Sequence, residues 1–203
     1  MSFDGLSFGL SPEVTKRGWQ NNDWFHTDQS YTRNSFECIQ SWATGLDVNE
    51  GDATLAILEG SNKYHKDFSE EFKISNKLDW YKLNENEIQY YLNKGCKKVL
   101  IQCKAESMVF CDSRTIHCGY QPIKGRKESN NRAVIYLCYT PKSLCNKSML
   151  AKRKNAFDNL RTTNHWPHKV HLFPKIPRTY GKPVPNIKKI NHPNLTELGK
   201  SLI

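Results

Sequence analysis

The sequence is organised around the stretch Trp24-Phe25-His26-Thr27-Asp28-Gln29, in which one residue separates a histidine from an aspartate. Side chains at positions i and i+2 of a β-strand point to the same face, so His26 and Asp28 could share one ion. A further histidine, His117, ends the stretch Met108-Val109-Phe110-Cys111-Asp112-Ser113-Arg114-Thr115-Ile116-His117. Two imidazoles and one carboxylate on one face of a metal are typical of non-heme iron sites that keep open positions. The three residues therefore predict an Fe(II) site.

Around these motifs the sequence predicts short β-strands with few helices between them. Apolar or alternating runs indicate strands at 23–29, 36–43, 53–58, 98–103, 107–111, 115–120 and 132–139. Helices are expected over 64–73, over 84–93 with Asn84 as the N-cap, and from Pro141 to about Thr162. Residues 1–22 are expected to be irregular. The predicted fold class is mainly β, a double-stranded β-helix core of the jelly-roll or cupin-like type with flanking helices.

Length and charge indicate one domain with a basic C-terminal part. A chain of 203 residues most simply forms a single domain, here with a core over about 19–140 and a basic helix and strap over 141–203. Residues 1–140 hold 17 Lys and Arg against 18 Asp and Glu, whereas residues 141–203 hold 13 against Asp158 and Glu197 alone. The Pro- and Lys-rich strap is expected to extend over the core. Its charge suits nucleic acid, an anionic substrate or an acidic protein, or serves solubility alone.

Composition also sets the expected compartment. No apolar run approaches the ~20 residues that a membrane span needs, and residues 1–7 lack the basic and apolar segments of a signal peptide. Seven cysteines without paired spacing are expected to be reduced thiols. We therefore expect a monomeric, cytoplasmic protein without membrane partners.

The order of the motifs resembles the phytanoyl-CoA dioxygenase-like family of Fe(II)- and 2-oxoglutarate-dependent oxygenases. The resemblance rests on the H-x-D pair, on Leu-Glu-Gly-Ser-Asn-Lys-Tyr-His at 58–65, on the segment that ends in His117, and on Arg132 in the following strand. It covers about residues 19–140, and it is strongest to small members from large DNA viruses and microbes. A viral member would be found in the host cytoplasm or the virion. Glu59 departs from the family, whose members usually have proline before Gly-Ser.

The resemblance implies a catalytic centre in which His26, Asp28 and His117 hold the iron. It also implies that Arg132 pairs with the distal carboxylate of the cosubstrate 2-oxoglutarate, since a guanidinium offers a carboxylate a bidentate fork. The other end of 2-oxoglutarate would bind the metal beside O2, and succinate and CO2 would be released. The substrate would be hydroxylated or oxidatively demethylated. Its identity is not indicated, beyond a basic tail that favours an anionic molecule.

Three further residues are expected near this centre. Gln40 and Trp42 lie on the strand after the H-x-D pair and are expected to line the cosubstrate site. Gln29 is expected to orient a metal ligand through a hydrogen bond.

Other interpretations remain open at the level of sequence. A catalytically degenerate jelly roll could bind nucleic acid or an acidic partner through residues 141–203, and a cupin-like enzyme could use another metal without a cosubstrate. His65 is expected to be a polar pocket or loop residue rather than a fourth ligand. His165, His168 and His171 are expected to be solvated or packing residues of the strap rather than a second metal site.

Overall fold

Short strands dominate the fold, as the sequence predicts. The structure is a computed structural model that describes residues 1–20, 22–176 and 190–203. Its strands are β1 (Leu6–Gly9), β2 (His26–Thr27), β3 (Ile39–Thr44), β4 (Thr54–Glu59), β5 (Tyr81–Lys82), β6 (Lys97–Leu100), β7 (Met108–Asp112), β8 (His117–Tyr120) and β9 (Arg132–Tyr139). Its helices are α1 (Pro12–Thr15), α2 (His65–Glu71), α3 (Glu85–Asn93), α4 (Lys147–Asp158) and α5 (Glu197–Ser201), with 3-10 turns at Ser61–Tyr64 and Lys142–Leu144.

The strands pair as the two antiparallel sheets of a jelly roll. Their orders are β1-β9-β3-β7 and β5-β2-β8-β4-β6. With the two-residue strand β5 set aside, β1 pairs with β9, β2 with β8, β3 with β7 and β4 with β6. One long hairpin is thus folded so that its successive strand pairs lie in alternate sheets, which is the arrangement of a double-stranded β-helix. The predicted fold class is confirmed.

The described chain divides into two compact units. One unit is Leu6–Tyr136, and the other is Met1–Gly5 together with Leu137–Ile203. In the second unit, Arg153 of α4 donates hydrogen bonds to the backbone carbonyls of Leu202 and Ile203. The assignment of residues 1–203 to a single domain stays a prediction. No helix in the described segments combines the length and the apolar character needed to cross a membrane.

The sheet that contains β2, β8 and β4 carries the predicted iron ligands on one face and a hydrophobic cluster on the other. Ile116 and Cys118 are buried in that cluster together with Phe68 of α2. Because side chains of a strand alternate, His117 points to the opposite face. A second buried cluster forms around Trp42, which lies on β3 of the other sheet. The metal-binding candidates therefore point between the two sheets.

The helix predicted over 84–93 is confirmed together with its N-cap. Asn84 accepts a hydrogen bond from the backbone N–H of Glu87, and the Glu87 carboxylate accepts one from the backbone N–H of Asn84. This reciprocal capping box satisfies two backbone donors at the start of α3. The helix ends before Gly95, which adopts a left-handed φ of 85°.

The N-terminal region is more regular than predicted. Strand β1 pairs with β9, and helix α1 begins at Pro12. The apolar side chains of β1, Leu6 and Phe8, are 73% and 61% exposed, so the face that turns inward carries Ser7 and Gly9. A strand with its polar side inward lacks the usual burial pattern, and for this reason the sequence did not indicate it.

Other elements also differ from the prediction. The strand expected over 23–29 is reduced to the two residues of β2, and β5 was not predicted. The helix expected from Pro141 begins only at Lys147, because Asn146 accepts a hydrogen bond from the N–H of Met149 and caps the helix there. The short helix α5, capped by Thr196, interrupts the predicted strap. The part of the strap over 177–189 lies outside the described residues.

Candidate metal centre

The three predicted iron ligands lie together at the end of one strand pair. His26 begins β2 and His117 begins β8, and the two residues are direct partners in the antiparallel register. Asp28 follows β2. Its Oδ1 lies 3.5 Å from Nε2 of His26 and its Oδ2 lies 3.5 Å from Nε2 of His117. One ligand atom from each residue lies within 4.8 Å of the other two.

Backbone carbonyls orient both imidazole rings. Nδ1 of His26 lies 3.3 Å from the carbonyl oxygen of Trp24, and Nδ1 of His117 lies 2.9 Å from that of Thr115. In each case the carbonyl belongs to the residue two positions earlier. A hydrogen bond from Nδ1–H leaves the Nε2 lone pair available to a metal, which is the arrangement found for most histidine ligands. Both Nε2 atoms accordingly face the carboxylate of Asp28.

Gln40 holds the carboxylate of this group. Its side-chain Nε2 donates a hydrogen bond of 2.5 Å to Oδ2 of Asp28, and both side chains are buried. Its other amide atom, Oε1, is buried and has no hydrogen-bond partner in the part of the chain that the structure describes. A buried polar atom without a partner is costly in a folded protein. Gln40 therefore supports the centre on one side and offers an unused acceptor on the other.

Trp42 and Arg132 lie near each other between the sheets. Trp42 is on the same face of β3 as Gln40, two residues away, so both predicted lining residues point inward. The guanidinium of Arg132 lies 5.9 Å from the ring of Trp42 and donates a hydrogen bond of 2.9 Å to the hydroxyl of Tyr136. The indole Nε1 of Trp42 is buried and lacks an acceptor among the described residues.

Arg132 also lines a cavity of about 170 Å³. Gly119 of β8 and Thr54 of β4 contribute to the same cavity. Gly119 lies two residues beyond His117 on the same strand, and thus on the same face of the sheet. In the described part of the chain, none of His26, Asp28 and His117 lines this cavity.

Two tryptophans pack beside His26. The ring of Trp24 stacks on the imidazole at a centroid distance of 4.8 Å, and the ring of Trp80 lies 5.6 Å away. Trp24 donates a hydrogen bond from Nε1 to the carbonyl of Gly119 and so links β8 to the segment before β2. Both indoles are partly open to solvent, at 40% and 51% exposure.

Trp80 lies beside the candidate centre, and the sequence did not indicate this. Its backbone has a φ of 72°, and its N–H donates to the carbonyl of Asp28. A left-handed conformation at a bulky residue is strained and is often found at functional sites. No local pattern in the sequence signals such a conformation at a tryptophan.

Gln29 has a different role from the predicted one. It is fully buried, donates to the carbonyls of Arg33 and Ser35, and accepts a hydrogen bond from the hydroxyl of Ser113. These bonds join the loop after β2 to the turn between β7 and β8. Each of these bonds holds loop backbone or a serine rather than a metal-binding side chain.

His65 lies outside the group, as predicted. Its ring stacks on Tyr31 at a centroid distance of 4.4 Å, and its Nε2 lies 3.3 Å from the carbonyl of Ser30. Burial lowers the pKa of His65 to about 4, because a charged imidazole would lose its hydration there. His65 is therefore a neutral core histidine at physiological pH.

The sequence comparisons do not identify a family. No protein-family model matches the chain, and no curated protein sequence matches it significantly. Solved structures with some similarity include EctD from S. alaskensis, with a TM-score of 0.45 and 13% identity over 68% of this chain and 43% of that chain. They also include the non-heme alpha ketoglutarate dependent epimerase SnoN from nogalamycin biosynthesis, with a TM-score of 0.38 and 14% identity over 66% of this chain and 44% of that one.

The product of GlcNAc Inducible Gene 2 from Candida albicans has a TM-score of 0.48 and 18% identity, over 62% of this chain and 32% of its own length. The chain thus spans less than half of each of these three proteins. The similarities are weak, and the function is therefore argued from the geometry of the site.

Proposed function

We propose that this chain is an Fe(II)- and 2-oxoglutarate-dependent dioxygenase. The observation that carries the proposal is the arrangement of His26, Asp28 and His117, in which both Nε2 atoms face one buried carboxylate. This donor set is the facial group of two histidines and one carboxylate that suits non-heme Fe(II) with open positions. Asp28 has the charge that a divalent cation requires, and both imidazoles are oriented by backbone carbonyls. The residues therefore fit the metal.

A buried donor on β3 supports an anionic cosubstrate. Among the described residues, the indole N–H of Trp42 lacks an acceptor. Arg132, which packs near Trp42, adds a positive charge beside a cavity. A dicarboxylate such as 2-oxoglutarate would give the indole N–H an acceptor and the guanidinium a counter-charge.

The protein residues would bind and orient the reactants. When bound at this centre, iron and 2-oxoglutarate would supply, with O2, the oxidising power needed to attack an unreactive C–H bond, and succinate and CO2 would be released. Arg132 and Trp42 would hold the cosubstrate, and Gln40 would keep the Asp28 carboxylate in place. Trp24 would limit the access of water to His26. The exposed indoles of Trp24 and Trp80 would form the rim where a substrate enters, and hydroxylation or oxidative demethylation would follow there.

The most direct test is the anaerobic addition of Fe(II) and 2-oxoglutarate to the purified protein. We expect the visible absorption band of an iron–2-oxoglutarate chelate, and its absence would contradict the proposal. Arg132→Met should weaken 2-oxoglutarate binding by about tenfold or more, because a charged hydrogen bond contributes roughly 1.5–3 kcal/mol. Iron binding should be unaffected. Lys127→Met, which removes an exposed positive charge, is the matched control.

We also propose a place for the chain in the phytanoyl-CoA dioxygenase-like group, on the motifs described above.

A second function is proposed for the basic residues 141–203, which would bind nucleic acid or an acidic partner. Lys147, Lys152 and Lys154 of α4 are exposed and support this idea. Binding to nucleic acid that weakens steeply with salt would support it, whereas binding insensitive to salt would contradict it. Such binding without succinate formation would favour a binding module over an enzyme.

A further inference from the structure

A second group of ligand-type side chains lies in the unit formed by residues 1–5 and 137–203. Nδ1 of His165 lies 2.8 Å from Oδ2 of Asp4. One ligand atom each from Asp4, Cys138 and His165 lies within 4.8 Å of the other two. In the described segments of the chain, only this group and the metal centre bring three such residues within that distance. His165, which the sequence predicted to be a solvated or packing residue, has a half-exposed side chain that pairs with Asp4.

The N-terminal residues build the group by bonding to two distant segments. Ser2 exchanges hydrogen bonds with Cys138, since its backbone N–H donates to the Cys138 carbonyl and its hydroxyl accepts from the Cys138 N–H. Phe3 pairs with Thr163, whose N–H donates to the Phe3 carbonyl. Asp4 follows directly. The same short segment thus fixes Asp4 between the end of β9 and the loop that carries His165.

The loop with His165 is itself closed by hydrogen bonds. Thr163 and Leu172 form an isolated β-bridge. Asn164 donates from its side chain to the carbonyl of Lys169 and accepts from the N–H of His171. Trp166, next to His165, is buried. The position of His165 is therefore set by the loop and not by the ion pair with Asp4 alone.

Burial and chemistry make the group a suitable cation site. The Asp4 side chain is 7% exposed, whereas the His165 side chain is 48% exposed. Asp4 has its Oδ1 occupied by the N–H of Gly5, so that Oδ2 is directed to His165. Cys138 is buried beside them. A thiolate, an imidazole and a carboxylate are the three ligand types that zinc prefers.

We propose that Asp4, Cys138 and His165 bind a zinc-type divalent cation as a second metal site, with water on the exposed side as a fourth ligand. In tetrahedral zinc sites the ligand atoms lie about 3.5 Å apart, as follows from the usual bond lengths. The spacing here requires side-chain movements on the order of 1 Å. Binding would release one proton from the Cys138 thiol, because sulfur binds the cation as a thiolate, whereas the neutral imidazole of His165 would bind through the lone pair of Nδ1. The cation would tie the N-terminal segment to β9 and to the loop.

Cobalt(II) provides a test that distinguishes this site from the iron site. A thiolate bound to Co(II) gives a strong near-ultraviolet charge-transfer band, and the group of His26, Asp28 and His117 contains no sulfur. The His26→Ala/His117→Ala protein, in which the candidate iron ligands are removed, is titrated with Co(II). We expect about one equivalent to bind with this band. Failure of the iron proposal would leave this result unchanged.

Further substitutions in the His26→Ala/His117→Ala protein identify which side chains bind Co(II). Cys138→Ser should abolish the charge-transfer band, whereas Cys145→Ser, at a partly exposed cysteine in the same unit, should retain it. Because Cys138→Ser changes a buried residue, His165→Ala at the exposed side provides a second variant and should weaken Co(II) binding by about tenfold or more. Asp4→Asn should also weaken Co(II) binding.

Thermal unfolding gives an independent measurement. Zn(II) should raise the melting temperature of the His26→Ala/His117→Ala protein, since a ligand that binds only the folded state stabilises it. The same addition should leave the melting temperature of the additional His165→Ala variant unchanged. Absence of the Co(II) band, or a band that persists in Cys138→Ser, would overturn the proposal and leave Asp4 and His165 as an ion pair only.

Discussion

Gln40 donates its side-chain amide to Oδ2 of Asp28, the same oxygen that faces Nε2 of His117. The bond joins β3 of one sheet to the residue after β2 in the other, so the position of the carboxylate depends on how the two sheets pack. Loss of partners that orient metal ligands typically reduces metal affinity by about 10–100-fold.

Gln40→Leu should therefore weaken Fe(II) binding by about 10–100-fold without preventing folding. The reason is that Asp28 would lose its buried hydrogen-bond donor. Calorimetric titration with Fe(II) or Co(II) under anaerobic conditions measures the effect. Gln89→Leu, on the exposed side of α3, is the control and should bind normally. Wild-type metal affinity in Gln40→Leu would show that Gln40 does not hold the carboxylate.

Trp42→Phe should weaken 2-oxoglutarate binding while leaving metal binding intact. The change removes the buried indole N–H but keeps an aromatic ring next to Arg132. A hydrogen bond contributes about 0.5–1.5 kcal/mol, which corresponds to a loss of about 2- to 13-fold in affinity, and more when its partner is charged. Titration of the Fe(II) protein with 2-oxoglutarate measures it. Trp19→Phe is the control, and equal losses in both variants would contradict a direct contact.

Arg126→Met should strongly destabilise the protein. The Arg126 side chain is 1% exposed and bonds to the carboxylates of Glu13 and Asp52. Removal of one partner from a buried ion pair costs about 3–5 kcal/mol, because the remaining charges stay without compensation. Urea unfolding measures the difference. The exposed pair of Lys66 and Glu70 on α2 offers a control, since Lys66→Met should change the unfolding free energy by less than about 1 kcal/mol.

The ion pair between Arg126 and Glu13 also predicts a loss of stability in acid. The hydrogen bond from Arg126 lowers the pKa of Glu13 from 4.5 to about 2. Because the folded pKa lies below the unfolded one, the contribution of Glu13 is fully present above pH 4.5 and is lost as the pH falls towards 2. Glu13→Gln should lose this part of the pH dependence. Parallel profiles for wild type and Glu13→Gln between these limits would contradict the assignment.

The burial of His65 predicts a second effect of pH on stability, at higher pH than the effect of Glu13. Burial lowers the pKa of His65 from 6.5 to about 4, so the unfolded chain binds a proton in this window and the folded protein does not. Stability should therefore decrease as the pH falls from 6.5 to 4, by roughly 2 kcal/mol at pH 5. His65→Gln, which cannot titrate, should show a flatter profile in urea unfolding at pH 7.5 and 5. Equal pH dependence in both proteins would be inconsistent with a neutral buried His65.

Local patterns predicted most elements of the fold. Strand β9 has the predicted bounds, and α3 begins after Asn84 as its capping residue requires. These features depend on neighbouring residues, whose spacing is visible in the sequence. The predicted elements are wrong where a distant contact or an unusual burial pattern determines the local structure. Strand β1 turns its apolar residues to solvent. Helix α4 was expected to begin at Pro141, but it begins after its capping residue Asn146.

The sequence by itself determined the pairing of His26 with Asp28, because the spacing of two neighbouring residues is local, and it offered His117 and Arg132 as partners through their order along the chain. Only the tertiary structure decided what surrounds them. The amide of Gln40 on Asp28, the left-handed Trp80 beside His26 and the approach of Asp4 to His165, 161 residues away, depend on chain segments brought together by the packing of strands and loops. Such contacts leave no periodic signal in the sequence, since their register is fixed only when the hydrophobic faces of the two sheets are buried against each other.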